Sequence, residues 1–271
     1  QAVRRATAEL QALPPLVTSG EVERLTTLLA EAQEGRRFLL QGGDCAESLE
    51  ECTPDKITSK LKILLQMSLV LVHGLQRPVV RVGRIAGQYA KPRSRPTETV
   101  NGRELPSYFG DLINGNAFDA DARTPDPSRM VRAYERAAVT LNFVRSLIDG
   151  GFADLHHPEN WDLRFFEHAQ LRPSLRAEYR QMVSRLTEAL KFAEALGDKS
   201  IEELSRIDFF TSHEGLNLLY EEAQTRRVPR KQGWWDLTCH LPWIGERTRD
   251  LGGAHVEFFR GIENPVGVKI G

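Results

Sequence analysis

A cysteine flanked by acidic residues follows a short apolar segment near the start of the chain. Residues 38–40 are apolar, residues 42 and 43 are glycines, and Asp44, Cys45 and Glu47 come directly after them. An apolar segment that ends in two glycines is typical of a buried strand followed by a tight turn. Because α/β folds place their chemistry at the carboxyl ends of strands, Cys45 is predicted to lie in a functional site, as a nucleophile or a metal ligand.

A second group of chemically capable residues is basic. Pro78–Arg84 is predicted to be a strand, and the loop after it carries Lys91, Arg93 and Arg95 together with the hydroxyl of Ser94. Clustered guanidinium and ammonium groups on a loop after a strand suit the recognition of phosphate or carboxylate. The loop is therefore predicted to bind an anion, with a solvated basic loop as the alternative.

Three further pieces lie in the second half of the chain. The pair His213–Glu214 follows a third predicted strand at Ile207–Ser212, and Lys269 lies near the end of the chain. The pair Glu246–Arg247 is predicted to lie on a loop before a strand. Together with Cys45, these residues offer a thiolate, several cations and a carboxylate, which suits an anionic, phosphorylated substrate beside a metal.

The elements that must position these residues alternate between strand and helix. The fourth and fifth strands are predicted at Ala254–Arg260 and Val266–Ile270. Helices are predicted at Ala2–Ala12, from Ser19 onward, at Lys56–His73, at Ser128–Ile148 and over residues 173–196. Strands separated by helices predict a (β/α) barrel or an open parallel sheet. We expect an N-terminal helical arm over residues 1–36, covering a barrel end or a subunit interface, and a barrel domain over residues 37–271 with a helical insertion at about 173–196.

Composition excludes several classes of protein. The chain has 271 residues, of which 41% are hydrophobic and 27% charged, and its net charge is −1. This balance gives no electrostatic reason to expect nucleic acid or an anionic membrane as a partner. Three cysteines are too few for a disulfide framework and suit a reducing compartment. No apolar run approaches the roughly 20 residues that span a bilayer, so a cytoplasmic location is expected.

Five segments carry a resemblance to one enzyme family. The sequence is similar to the type II (plant-like) 3-deoxy-D-arabino-heptulosonate 7-phosphate (DAHP) synthases over essentially its whole length, in the family's order. The segments are Phe38–Ser48 (FLLQGGDCAES), Arg84–Ser94 (RIAGQYAKPRS), Thr211–Leu216 (TSHEGL), Pro242–Arg249 (PWIGERTR) and Asn264–Gly271 (NPVGVKIG).

The resemblance implies a (β/α)8 barrel of the TIM type, a transferase and the entry step of the shikimate pathway to aromatic compounds. In that reaction phosphoenolpyruvate condenses with erythrose 4-phosphate and phosphate is released. The resemblance also implies a divalent metal, manganese or cobalt, which polarises the aldehyde, and a homo-oligomer for the full-length protein.

Site residues follow from the same resemblance, position by position. Cys45 falls on the metal cysteine, and Ser94 lies near the aldose phosphate. Five residues fall around phosphoenolpyruvate: Arg84, Lys91, Glu246, Arg247 and Lys269. Arg84 and Lys269 are predicted to be catalytic, with proton donation as one role open to Lys269.

The chain departs from the family after its fifth predicted strand. In the family, a His, a Glu and an Asp that complete the metal site, and one more substrate-binding Arg, lie on later strands. His213, Glu214 and His240 do not match those positions. We therefore expect this sequence to be a fragment of the synthase. Two alternatives remain open: a non-catalytic shortened paralogue that binds phosphorylated metabolites or a complete synthase, and a Schiff-base aldolase that uses Lys269.

Overall fold

The computed structural model describes residues 1–152, 170–195 and 208–270. Their strands are β1 (Phe38–Gly43), β2 (Val79–Arg84), β3 (Thr97–Val100), β4 (Arg103–Pro106), β5 (Phe209–Glu214), β6 (Thr225–Arg226), β7 (Trp235–Asp236), β8 (Leu241–Ile244) and β9 (Gly267–Val268). Five of them form a parallel sheet in the order β1-β2-β5-β8-β9. Sheet neighbours therefore follow the chain order, which is consistent with part of a (β/α) barrel.

The described residues also contain eight α-helices. They are α1 (Ala2–Ala12), α2 (Ser19–Gln33), α3 (Pro54–Leu75), α4 (Ala120–Arg123), α5 (Ser128–Asp149), α6 (Pro173–Ala195), α7 (Leu218–Gln224) and α8 (Ala254–Arg260). None of these described helices has the length and apolarity needed to cross a bilayer. The predicted helices at the N-terminus, after Thr53 and after Ser128 are confirmed. The predicted segment 173–196 is helical through Ala195, and residue 196 lies outside the described residues.

The two faces of the parallel sheet are covered by different helices. Successive side chains of a strand point to opposite faces. One face packs against Leu25 of α2 through four buried strand residues: Val80, Val82, Phe210 and Leu241. On the other face, Leu40 and Val79 pack against Leu64 of α3. The N-terminal helix α2 therefore covers one face of the sheet, mainly toward the amino-terminal ends of its strands.

Other helices extend the core beyond the sheet. On α3, Leu61 and Leu65 pack with Val144 of α5 and with Tyr179 of α6. Helix α1 is held by polar contacts as well, because Gln224 of α7 donates a hydrogen bond to the carbonyl of Leu10 at 2.5 Å.

Two predictions about strands were wrong, and both concern the fourth strand. Ala254–Arg260 is helix α8, not a strand. Its valine and phenylalanines favour strand by composition, but Phe259 is buried against Gly215, where an added Cβ would overlap the phenyl ring. The fourth strand of the sheet is Leu241–Ile244. Pro242 weakened its signal, since proline is rare inside a sheet.

The corrected strand position changes where Glu246 and Arg247 lie relative to the sheet. The sequence predicted them on a loop before a strand, whereas they follow the carboxyl end of β8. They thus reach the edge of the sheet at which Cys45 and the loop after β2 also lie.

A buried histidine joins α2 to the sheet. The Nδ1 atom of His240 accepts a hydrogen bond from the backbone N–H of Thr211 in β5 at 2.9 Å. Its Nε2 atom lies 3.9 Å from a carboxylate oxygen of Glu21, which belongs to the capping box at the start of α2. Burial lowers the pKa of His240, and the carboxylate of Glu21 acts against that lowering. The Thr211 donor favours the neutral form, because it requires an unprotonated Nδ1.

Acid should therefore weaken the fold through His240. With its folded-state pKa lowered, His240 stays neutral in the native protein while the unfolded chain takes up a proton as pH falls below about 6.5, so stability is lost on acidification. The wild-type protein should lose about 1 kcal/mol more unfolding free energy between pH 7.5 and pH 5.5 than the variant His240→Asn loses. Asparagine is chosen because its amide oxygen can still accept the hydrogen bond from Thr211. Urea titrations at the two pH values measure this. An equal pH dependence in both proteins would contradict it.

Candidate active site

The Cys45 turn lies against the end of β2. Gly43, the last residue of β1, has a φ of +147°, and a Cβ there would lie 2.5 Å from the carbonyl oxygen of Arg84. The side chain of Cys45 is exposed. Its carbonyl oxygen accepts a hydrogen bond from Nη2 of Arg84 at 3.3 Å. The predicted metal cysteine and the first predicted substrate-binding arginine are therefore neighbours.

Ion pairs tie the Cys45 turn to helix α3. The Nζ atom of Lys60 lies 2.6 Å from a carboxylate oxygen of Asp44 and 3.1 Å from one of Glu51. Lys60 is mostly buried, so this arrangement is screened less than a surface pair. The turn is thus anchored on both sides of Cys45.

Glu47 binds the loop that follows β2. One carboxylate oxygen accepts a hydrogen bond from the N–H of Ala86 at 3.1 Å. The other oxygen accepts from Gly87 at 2.9 Å and from Gln88 at 2.8 Å. Burial raises the pKa of Glu47, and these three N–H groups and the charge of Lys60 act against the rise.

Arg84 and Glu214 face one another across the carboxyl ends of the strands. Both point to the sheet face that α2 covers, because they continue the alternation of Val82 and Phe210. Glu214 is 4% exposed. Burial raises the pKa of its carboxyl, and the positive charges of Arg84, Lys269 and Arg247 counteract that rise. Three of the predicted cations therefore lie close enough to act on one buried carboxylate.

Arg84 packs against the indole ring of Trp243. The guanidinium lies over the indole ring of Trp243, with its central carbon 4.9 Å from the ring centroid. Among the described residues, Nε of Arg84 finds no hydrogen-bond partner although it is buried. Stacking thus fixes the plane of the guanidinium while leaving donor groups for an anion.

Lys269 completes a small polar pocket of about 330 Å³. Gln41, Arg84, Trp243 and Lys269 line it, together with the backbone of β9. The Lys269 side chain is exposed, and its backbone N–H donates to Ile244 at 2.9 Å. Two of the predicted phosphoenolpyruvate residues, Arg84 and Lys269, therefore share one pocket.

Lys91 and Arg247 line a second, larger pocket of about 570 Å³, whose remaining wall is mainly apolar. Nη2 of Arg247 donates a hydrogen bond to the hydroxyl of Ser94 at 2.8 Å, which joins the loop after β8 to the loop after β2. Glu246 precedes Arg247 and is exposed. Arg84 and Lys269 thus line one pocket, Lys91 and Arg247 line another, and Ser94 lines a third together with Arg93 and Arg95.

His213 points away from both pockets. It alternates with Glu214, so it lies on the opposite face of β5, where its Nε2 is 2.9 Å from a carboxylate oxygen of Glu221. The sequence could not decide which member of the pair faces the site. Glu47 and Glu214 were indicated by their positions after predicted strands, whereas the signal for Trp243 was its place in a segment that carries the family resemblance.

The described residues do not form a complete metal centre. No group of three His, Cys, Asp or Glu side chains that could hold a metal ion occurs in residues 1–152, 170–195 and 208–270. A protein metal site usually needs about three ligands, and Cys45 is the one ligand that the sequence predicted in this part of the chain. The acid next to it, Asp44, is paired with Lys60. The arrangement can therefore bind an anion through its cations.

Comparison with known proteins identifies the family of this chain. Residues 1–271 match the family described as "Class-II DAHP synthetase family". A protein of Neurospora crassa named phospho-2-dehydro-3-deoxyheptonate aldolase is 49% identical over 284 residues, covering 100% of this chain and 58% of that protein. A protein of the same name from Streptomyces coelicolor is 46% identical over 271 residues, covering 100% of this chain and 59% of that protein. This chain thus spans about three-fifths of the length of these relatives, and it belongs to the class-II DAHP synthetase family.

Proposed function

We propose that this chain carries the phosphoenolpyruvate-binding part of a 3-deoxy-7-phosphoheptulonate synthase. The reaction condenses phosphoenolpyruvate with D-erythrose 4-phosphate and releases phosphate, as the first step toward aromatic amino acids. Three positive side chains around the buried carboxylate of Glu214 are the observation that supports this proposal most strongly. Phosphoenolpyruvate carries a phosphate and a carboxylate, so two cations that share one pocket, Arg84 and Lys269, match its charge.

The chemistry assigns work to particular residues. C3 of phosphoenolpyruvate attacks the aldehyde carbon of erythrose 4-phosphate, water adds at C2, and the C2–O bond to phosphate breaks. Arg84 and Lys269 would hold the phosphate and carboxylate charges in the smaller pocket, where preorganised cations stabilise charge as it moves to the leaving phosphate. Lys91 and Arg247 line the larger pocket, which has room for the aldose phosphate, and Ser94 would act there through its hydrogen bond with Arg247.

Several further features belong to the same proposal. The family's divalent metal, which we take to be manganese or cobalt, would use Cys45 as one ligand, and the described residues supply no complete ligand set for it. We also propose a (β/α)8 barrel with an N-terminal arm over residues 1–36, a homo-oligomer and a cytoplasmic location. Nucleic acid is not expected as a partner, since the net charge is −1.

Calorimetric titration of this chain with phosphoenolpyruvate, with and without Mn²⁺, tests the proposal. We expect one site per chain, competition by inorganic phosphate, and loss of binding in the double variant Arg84→Met with Lys269→Met. Phosphate release after addition of erythrose 4-phosphate is not expected from this chain alone, because its described residues supply no complete ligand set for the metal. Metal-dependent turnover would rule out the non-catalytic alternative. Absence of phosphoenolpyruvate binding under both conditions would contradict the proposal.

No observation favours the Schiff-base alternative. The Lys269 side chain is exposed, whereas amine nucleophiles are typically activated in a desolvated pocket. That scheme also leaves Cys45 and its ion-paired turn without a role.

A further inference from the structure

The loop after β2 forms a cradle of backbone N–H groups. The N–H groups of Ala86, Gly87 and Gln88 point toward one position, and Ala86 has a φ of +66°, a conformation that alanine rarely adopts. Successive N–H groups in such a turn make a concave site for an anion. Here the cradle is filled by the chain itself, because the carboxylate of Glu47 accepts all three hydrogen bonds.

The same residue joins three parts of the site. The backbone N–H of Glu47 donates to the carbonyl of Gln88 at 2.7 Å, so the two segments are held by main chain and side chain together. The side-chain oxygen of Gln88 in turn accepts from the N–H of Glu214 at 2.8 Å, and its amide nitrogen donates to Ala90 at 3.0 Å. The Cys45 turn, the loop before Lys91 and the end of β5 are therefore connected through Glu47 and Gln88.

This connection has a consequence for ligand binding. Glu47 is 4% exposed, so a substrate phosphate cannot reach the three N–H groups while its carboxylate is in place. An incoming anion must therefore be bound by the side chains of Arg84, Lys91 and Arg247. The position of those cations relative to Cys45 depends on how the two loops are held together.

We propose that Glu47 is a positioning residue of this site: its carboxylate occupies the N–H cradle and fixes the Cys45 turn against the loop that carries Lys91. The inference rests on the proposed function, because the site it positions is the phosphoenolpyruvate site. Glu47 itself touches no substrate in this scheme. It acts through the backbone of residues 86–88 and through Gln88.

Chemical rescue gives a direct test. Glu47→Ala removes a side-chain fragment with the size and charge of acetate. We expect amide hydrogen exchange of the segment containing Ala86–Gln88 to become about tenfold faster, and the phosphoenolpyruvate dissociation constant to rise by about tenfold, since each hydrogen bond to a charged group is lost. Sodium acetate should restore both quantities, and sodium chloride at equal ionic strength should not. A purely structural defect would not respond to acetate.

Asp111 provides a matched control. It is a buried carboxylate that accepts a hydrogen bond from the N–H of Leu49 at 2.9 Å and from the hydroxyl of Ser48 at 3.1 Å, so it holds the same segment without contacting residues 86–88. Asp111→Ala should leave exchange at 86–88 and phosphoenolpyruvate affinity within about twofold of the wild type. An equal loss of affinity in Asp111→Ala, or no rescue of folded Glu47→Ala by acetate, would overturn the proposal.

A second variant covers the case in which Glu47→Ala does not fold. Glu47→Gln keeps the shape but turns one acceptor into a donor that faces backbone N–H groups, so exchange at 86–88 should rise about threefold or more. Wild-type exchange in Glu47→Gln would overturn the proposal. The exchange measurement needs no substrate. The wild-type chain could fail to bind phosphoenolpyruvate while acetate still restores exchange in Glu47→Ala. In that case the proposed function is wrong, and Glu47 positions a site for a different anion.

Discussion

Arg84→Met should raise the phosphoenolpyruvate dissociation constant of this chain by about a hundredfold. Removing one partner of a desolvated charge pair typically costs several kcal/mol, and each 1.4 kcal/mol is about tenfold in affinity. We expect a loss of this size at Arg84 because its guanidinium lies over Trp243 and its Nε atom is buried. Arg84→Lys should lose about tenfold, since an ammonium neither stacks as a plane nor binds a phosphate with two parallel donors. Titration calorimetry measures both values.

Arg103 supplies the control for this series. It is an exposed arginine on β4, in the hairpin with β3. Arg103→Met makes the same chemical change without touching either pocket, so affinity should stay within about twofold. Circular dichroism and thermal melting establish that each variant is folded. An Arg84→Met protein that is folded and binds within threefold of the wild type would refute the role of Arg84.

Gly43→Ala should destabilise the fold by about 3 kcal/mol and lower the melting temperature by about 6–12 °C. Two costs combine at this position. The backbone φ of +147° is one that side chains with a Cβ rarely adopt, and the new Cβ would meet the Arg84 carbonyl at 2.5 Å. The obstacle is backbone, so no side chain can move aside. The strands β1 and β2 must separate at the Cys45 turn.

Gly42 is the matched control because it is the preceding residue of the same strand. A Cβ at Gly42 would lie 3.5 Å from Cδ1 of Leu64, an ordinary van der Waals contact. Gly42→Ala should therefore change the unfolding free energy by less than about 1 kcal/mol. Urea denaturation of the two variants gives the comparison. Equal stabilities of Gly42→Ala and Gly43→Ala would show that the crowding at Gly43 is relieved without cost.

The sequence predicted those parts of the fold that local pattern determines. The apolar segment before Gly42 and the alternation of residues 79–84 correctly indicated β1 and β2. Composition was misleading in two segments. The proline at position 242 disfavoured the prediction of β8, and the valine and phenylalanines of residues 254–260 favoured a strand where a helix forms. In both cases tertiary packing overrode a composition signal, since Phe259 closes over Gly215 and Leu241 packs beneath α2.

The candidate site also combines features that local sequence pattern predicts with features that depend on tertiary structure. Cations after strand ends, such as Arg84 and Lys91, were predicted because parallel strands bring their carboxyl ends to one edge. The placement of Glu214 toward the site and of His213 away from it depends on strand register, which residue types alone do not determine. The cradle around Glu47 depends on the left-handed backbone of Ala86, for which an alanine gives no sequence signal.

The stacking of Arg84 on Trp243 has an optical consequence. Indole emission responds to a charge held against the ring, so drawing the guanidinium toward a bound anion should alter the fluorescence of Trp243. Trp234, which is 46% exposed and has Arg227 5.1 Å from its ring centroid, lies outside both pockets, so Trp234→Phe should keep the response and Trp243→Phe should abolish it. The protein therefore carries its own spectroscopic reporter of site occupancy, readable without a label.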